Sequence, residues 1–183
     1  MKIIFLLLLC TNLYSQPDSL KVNSGKCILP NGIFALSEWD DAAELTISDE
    51  LILYLKQDDQ YFYLGIKFIN EIHTGIDLYL ADSGENMKML HVSSALGEKE
   101  FINGQWGDFI WSENNLWTAN SLGMISENGK TKFLESDGFE FQIDKSFFKK
   151  KNWFLMIHLK RPELIYPQNA TNESTLNWQQ ITF

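Results

Sequence analysis

The chain has 183 residues, 45% of them hydrophobic and 14% aromatic, which suits one domain with a sizeable core. Its formal net charge is −9. That argues against nucleic acid or an anionic membrane surface as partner, since both need a positive face, and it suits neutral ligands such as uncharged glycans.

The first residues read as a processing signal. Lys2 precedes an unbroken apolar run, Ile3 to Leu9, and Thr11-Asn12-Leu13-Tyr14-Ser15 follows Cys10. This is the form of a secretory signal peptide over residues 1–15, cut after the small Ser15. The run falls short of the roughly 20 apolar residues that span a bilayer, and no other stretch is apolar enough to cross. A lipoprotein cysteine at Cys10 is disfavoured by the bulky Leu9 before it. Cleavage removes one positive charge and leaves Cys27 as the single cysteine, so no internal disulfide can form. The expectation is a secreted or periplasmic bacterial protein that holds its fold by packing.

Residues 16–27 read as an extended lead-in and 28–183 as one domain without repeat or linker. Cys27-Ile28-Leu29 reads as a short edge strand, with Cys27 a small buried hydrophobe; no neighbouring His makes it a catalytic thiol. Ser37 to Ala43 reads as one helical turn capped by Ser37, with Trp39 plugging the end of the core. Leu51 to Lys56 alternates, with Leu51, Leu53 and Leu55 on one face. Gln57-Asp58-Asp59-Gln60 is a polar turn, and Tyr61 to Phe68 alternates again, with Phe62, Leu64, Ile66 and Phe68 inward.

The style continues. Ile76 to Leu80 and Lys88 to Val92 are strands around the turn Asp82–Asn86. Residues 101–117 are loop-rich and Trp-rich. Asn128-Gly129 signals a hairpin between Leu122–Ile125 and Thr131–Leu134. Phe139 to Asp144 alternates, Ser146 to Lys150 is a helical turn, and Trp153 to Lys160 alternates with Trp153, Leu155, Ile157 and Leu159 inward. A loop from Arg161 to Thr175, exposed and carrying two Asn-x-Ser/Thr sequons, precedes a last strand, Leu176 to Phe183. About nine to eleven short strands, with one or two single-turn helices, make the chain all-β. The expected fold is an antiparallel, jelly-roll-like β-sandwich with polar outer faces.

The order of these motifs resembles family 9 carbohydrate-binding modules and their DOMON-like relatives. The matching features are Gly32, Glu38-Trp39, Ala42-Ala43, the strand Leu51 to Lys56, the acidic turn Asp58-Asp59 and the aromatic strand Tyr61 to Ile66. Further along, Asp77-Leu78-Tyr79-Leu80, Phe141-Gln142-Ile143, the Trp153 strand, and Tyr166-Pro167 with Trp178 match later elements. The family's Ile-Asp-Gly opening stands here as Pro30-Asn31-Gly32. The resemblance covers roughly residues 28–183. It implies a β-sandwich whose relatives bind sugars in some members and haem in others.

Three of the six Trp fall between Asn103 and Trp117. Indole stacks on the C–H faces of sugar rings, and neighbouring amides and carboxylates bond their hydroxyls. Trp106, Trp111 and Trp117, with Gln105 and Asp108, are therefore the expected ligand-binding residues. Core packing is the competing account of each Trp. Tyr61, Tyr63 and Tyr79 form a second outward aromatic set, which cross-strand packing or a covering loop explains.

No haem-ligand spacing stands out among His73, His91 and His158, and one mature Cys with scattered His makes no zinc site. Asp40-Asp41 and Asp58-Asp59 offer oxygen ligands for a structural calcium, but read first as a helix start and a solvated turn. No nucleophile elbow, phosphate loop or Ser-His-Asp order is present. The reading is a non-enzyme: an exported, non-catalytic domain that binds a neutral polysaccharide or oligosaccharide, without nucleic acid or membrane span, with a larger envelope or enzyme assembly as a further candidate partner. The alternatives are a structural module of the cell envelope, predicting buried Trp and an exposed apolar patch, and a small glycoside hydrolase, predicting two carboxylates roughly 5–10 Å apart.

Overall fold

Period-two alternation builds the centre of the molecule. In the computed structural model, which describes residues 18–31, 34–69, 75–111, 116–127 and 129–183, β4 (Leu51–Gln57) and β5 (Tyr61–Phe68) pair antiparallel with Leu51 opposite Phe68 and Leu55 opposite Leu64. Their apolar sets share one face, as the alternation predicts, and are buried. The turn between them is held by Asp58, whose carboxylate accepts from the backbone N–H of Gln60 and Tyr61 and from the Tyr63 hydroxyl.

The other strands follow in chain order. β1 (Leu20–Lys21), β2 (Asn23–Ser24) and β3 (Ala43–Ser48) precede β4. β6 (Gly75–Ser83), β7 (Asn86–Val92), β8 (Leu96–Ile102), β9 (Gln105–Trp106) and β10 (Ile110–Trp111) follow β5. β11 (Trp117–Glu127) and β12 (Lys130–Asp144) form the long hairpin that Asn128-Gly129 signals. β13 (Asn152–Lys160), β14 (Leu164–Tyr166) and β15 (Gln179–Thr182) close the chain. Turns of 3-10 helix cover Leu36–Glu38, Lys145–Phe147 and Thr175–Asn177.

Two sheets result. The first has the order β1-β15-β13-β6-β7-β8-β10, with β14 also on β13 and β9 also on β8; the second has β11-β12-β5-β4-β2, with β3 also on β4. Their inner faces make the main core. β6 contributes Ile76, Leu78 and Leu80, β13 contributes Trp153, Leu155, Ile157 and Leu159, and β12 contributes Phe139, Phe141 and Ile143, all packed on the β4–β5 set. Burying each such side chain is worth about 1.5–3 kcal/mol. No helix among the described residues is long and apolar enough to cross a membrane.

The chain is the all-β sandwich expected, and its pairing is antiparallel except for the short β1–β15 and β2–β4 pairs, which are parallel. Several finer expectations are corrected. The outer faces are largely covered instead of wet. Over the second sheet, Trp39 stacks on Phe34 at 5.5 Å and packs with Tyr54 and Tyr63. Trp39 thus roofs an outer face and does not plug the space between the sheets. Gly65 lies beneath it, where a Cβ would come within 2.9 Å of the indole. Lys56, 1% exposed, runs under the same roof to the Asp41 carboxylate at 2.8 Å and the Glu38 carbonyl. The residues Cys27 to Leu29 form no strand, and Cys27 is exposed.

Candidate functional site

The Trp-rich segment is more regular than its composition suggests. β8 turns back at Asn103-Gly104, whose φ values of 54° and 79° fit the positive pair that a two-residue hairpin turn requires. Phe101 then faces Trp106, and Ile102 faces Gln105. After Gly107–Phe109 the chain returns as β10 along the other end of β8, with Ile110 opposite Glu98 and Trp111 opposite Gly97. The expected loop is therefore a short hairpin and an edge strand.

The structure separates the three Trp. Trp117 is 4% exposed, and its indole N–H donates to the Glu98 carboxylate at 2.7 Å. It belongs to the core between the sheets and offers no face to a ligand, which corrects its place in the expected site. Trp106 is half-buried. Its N–H donates to the Asn172 carbonyl at 3.0 Å, and its ring meets Phe101 and Tyr79 edge-on at 5.2 and 5.6 Å. It fastens the exposed 167–175 loop over the outer face of the first sheet.

Trp111 is different: 59% of it is exposed. Phe109 braces it edge-to-face at 4.8 Å and 84°. The Phe109 ring lies over Gly97, where a Cβ would fall within 2.2 Å of its Cζ. Gln105 and Asp108 are exposed. Ile110 and Leu116 are 62% and 41% exposed; Ile110, next to Trp111 on β10, points to the opposite face. An open cavity of about 670 Å³ lies between the Gly84–Asn86 turn and Phe101–Gly104, on the β9 side.

Sequence reasoning missed a polar row on the same outer face. Direct cross-strand partners share a face, and the register aligns Ile165, His158, Asp77, His91, Gly97 and Trp111 across six strands. Asp77, 8% exposed, accepts from His91 Nδ1 at 2.6 Å and from Lys160 Nζ at 2.8 Å. His91 Nε2 lies 3.0 Å from the Ser93 Oγ. Lys160 also donates to His158 Nδ1 at 3.0 Å, and His158 Nε2 reaches Glu163 at 2.8 Å. Burial pushes the Asp77 carboxyl up, but the hydrogen bonds and charges of His91 and Lys160 outweigh it and hold Asp77 below the usual carboxylate range. A carboxylate only accepts, so His91 donates to Asp77 from Nδ1, which leaves Nε2 as the ring atom that faces Ser93. The same surroundings act on Tyr79, which burial and the Asp77 charge push up to about 12. The alternating β6 and β7 pattern could have revealed the Asp77–His91 pair once their register was known.

The other expected sites fall out as follows. Asp41 is engaged with Lys56 and with the Lys26 backbone N–H, and Asp58 with its own turn. Among the described residues, no group of three or more His, Cys, Asp or Glu converges as a metal site. His73 lies outside the described residues.

The fold places the chain beside one solved structure in particular: a family 9 carbohydrate-binding module from Caldicellulosiruptor kristjanssonii, in complex with cellotriose. The TM-score is 0.51 at 10% identity, and the match covers 90% of this chain and 93% of that one. The likeness is one of fold, a carbohydrate-binding-module sandwich. No protein-family model matches the chain, and no curated protein matches it.

Proposed function

We propose that this is an exported, DOMON-like carbohydrate-binding domain that takes a neutral oligosaccharide or polysaccharide, and that Trp111 is its stacking platform. The observation that carries the reading is an indole held 59% exposed on a sheet edge and fixed by Phe109. A large exposed aromatic on a rigid strand is what a sugar face needs, because little conformational entropy is lost on contact. Gln105 and Asp108 supply exposed polar groups on the same hairpin segment. The similar sandwich, whose solved complex holds cellotriose, supports the ligand class at the level of fold. The test is titration of the intrinsic fluorescence with cello-oligosaccharides and a panel of soluble neutral polysaccharides, with Trp111→Ala as control. Saturable quenching lost in that variant is expected.

The exposed Ile110, Trp111 and Leu116 favour a second reading, an assembly surface of a larger envelope complex. It predicts concentration-dependent self-association or partner capture that sugars leave unchanged.

A further inference from the structure

We propose that Ser93 is an activated nucleophile, with His91 its general base and Asp77 the positioning residue, forming an acyl-transfer centre for carboxylic esters on the outer face of the first sheet. The three side chains come from β6, β7 and the Ser93–Ala95 loop that joins β7 to β8. The distances, 2.6 Å from Asp77 to His91 Nδ1 and 3.0 Å from His91 Nε2 to Ser93 Oγ, lie in the range of nucleophile–base–orienter triads. Asp77 is 8% exposed, the His91 side chain 24%, and Ser93 is half-buried at the bend that follows β7. Asp77 is covered because it sits mid-strand between β7 and β13; Ser93 is reachable because the three-residue loop ends the pairing at Val92–Leu96.

The chemistry closes without any co-reactant but water. Ser93 Oγ attacks the ester carbonyl carbon, its proton moves to His91 Nε2, and the C–O bond to the alcohol breaks as that proton passes to the leaving oxygen. Water then attacks the acyl-serine, gives its proton to Nε2, releases the carboxylic acid and restores Ser93. Trp111 lies two strands from His91 in the same register row, about 10 Å away at the usual strand spacing. The Phe109 ring stands between them, 5.7 Å from His91 and 4.8 Å from Trp111, so an acyl group on a glycan stacked at Trp111 would pass over Phe109 to reach Ser93; that corollary alone rests on the glycan reading.

The test is covalent labelling of the full chain with a fluorophosphonate, with the adduct located by mass spectrometry. The expected result is a single adduct on Ser93, absent in Ser93→Ala and reduced at least tenfold in rate in His91→Gln and Asp77→Asn. Lys160→Met is the structural control. It removes the other partner of Asp77 without touching the tautomer of His91, so it should keep labelling even if it melts at lower temperature. Hydrolysis of p-nitrophenyl acetate should follow the same order. No adduct on Ser93 in the folded wild-type protein, or equal labelling of wild type and Asp77→Asn, overturns the proposal. Because labelling needs no sugar, a failed glycan titration leaves this result interpretable, and the reverse holds too.

Discussion

Trp111 and Trp117 sit six positions apart, one exposed and one buried. Trp117 fills core space and satisfies its N–H on Glu98, so Trp117→Ala should destabilise by about 3–5 kcal/mol, read as a fall in denaturant midpoint. Trp111→Ala should leave that midpoint within about 0.5 kcal/mol and weaken sugar binding about tenfold or more, the loss of roughly 1.4 kcal/mol of stacking. Lys56 offers a second residue-scale test. Its ammonium is buried against Asp41, which keeps 34% of its side chain in water. Lys56→Ala should therefore cost about 2–3 kcal/mol by thermal or chemical melting, less than a fully enclosed pair. Little of this was legible in the sequence. Composition marked the Trp cluster, but exposure of each ring depends on register, and Cys27 on an exposed segment that no local pattern distinguishes from an edge strand.

At the scale of elements, legibility tracked apolar alternation. β4, β5, β6 and β13 were read with the correct inward residues because leucine, isoleucine and aromatic side chains recur every second position. Ala43–Ser48 alternates too, Ala43, Leu45 and Ile47 against Glu44, Thr46 and Ser48, so β3 was legible although no strand was expected there; β8 was not, because Leu96–Ile102 carries Gly97, Glu98, Lys99 and Glu100 in a row. β8 exists through pairing with β7, a tertiary cause. The Asn103-Gly104 turn was a readable hairpin signal, hidden because its flanking strand is only two residues long. Two glycines mark where elements press together. Gly65→Ala would push a Cβ against Trp39 and Phe34 at 2.9 and 3.0 Å and should cost about 1–3 kcal/mol of stability. Gly97→Ala should instead swing Phe109 off its seat, since the clashing atom is the tip of that ring. Its signature should be weakened sugar binding with a smaller loss of melting temperature than in Gly65→Ala.

For the whole molecule, the sandwich class was legible and the extra layers were not. Each sheet carries aromatic cover on its outer face, Trp39 with Phe34 on one and Trp106 with Trp178 and Tyr79 on the other. Carboxylates held by hydrogen bonds and neighbouring cations set the acid response. Asp144 is held low first by the Ser146 backbone N–H; in Asp41, Asp58 and Asp77, hydrogen bonds and neighbouring cations outweigh the upward push of burial. All four carboxyls thus lie below their unfolded values. Their stabilisation is complete above the unfolded aspartate pKa of about 4 and is lost as pH falls through the lower folded values. Melting temperature should be steady from about pH 5 to 7 and drop progressively below about pH 4.

The central claim is that this sandwich presents Trp111 to a sugar. Titrating wild-type protein and Trp111→Ala with cellotriose and the neutral polysaccharide panel, while following indole fluorescence, tests it most directly. The account predicts saturable quenching by at least one glycan in the wild type and its loss in a variant with an unchanged melt. A wild type that responds to no glycan, or a Trp111→Ala variant that binds as tightly, would contradict it.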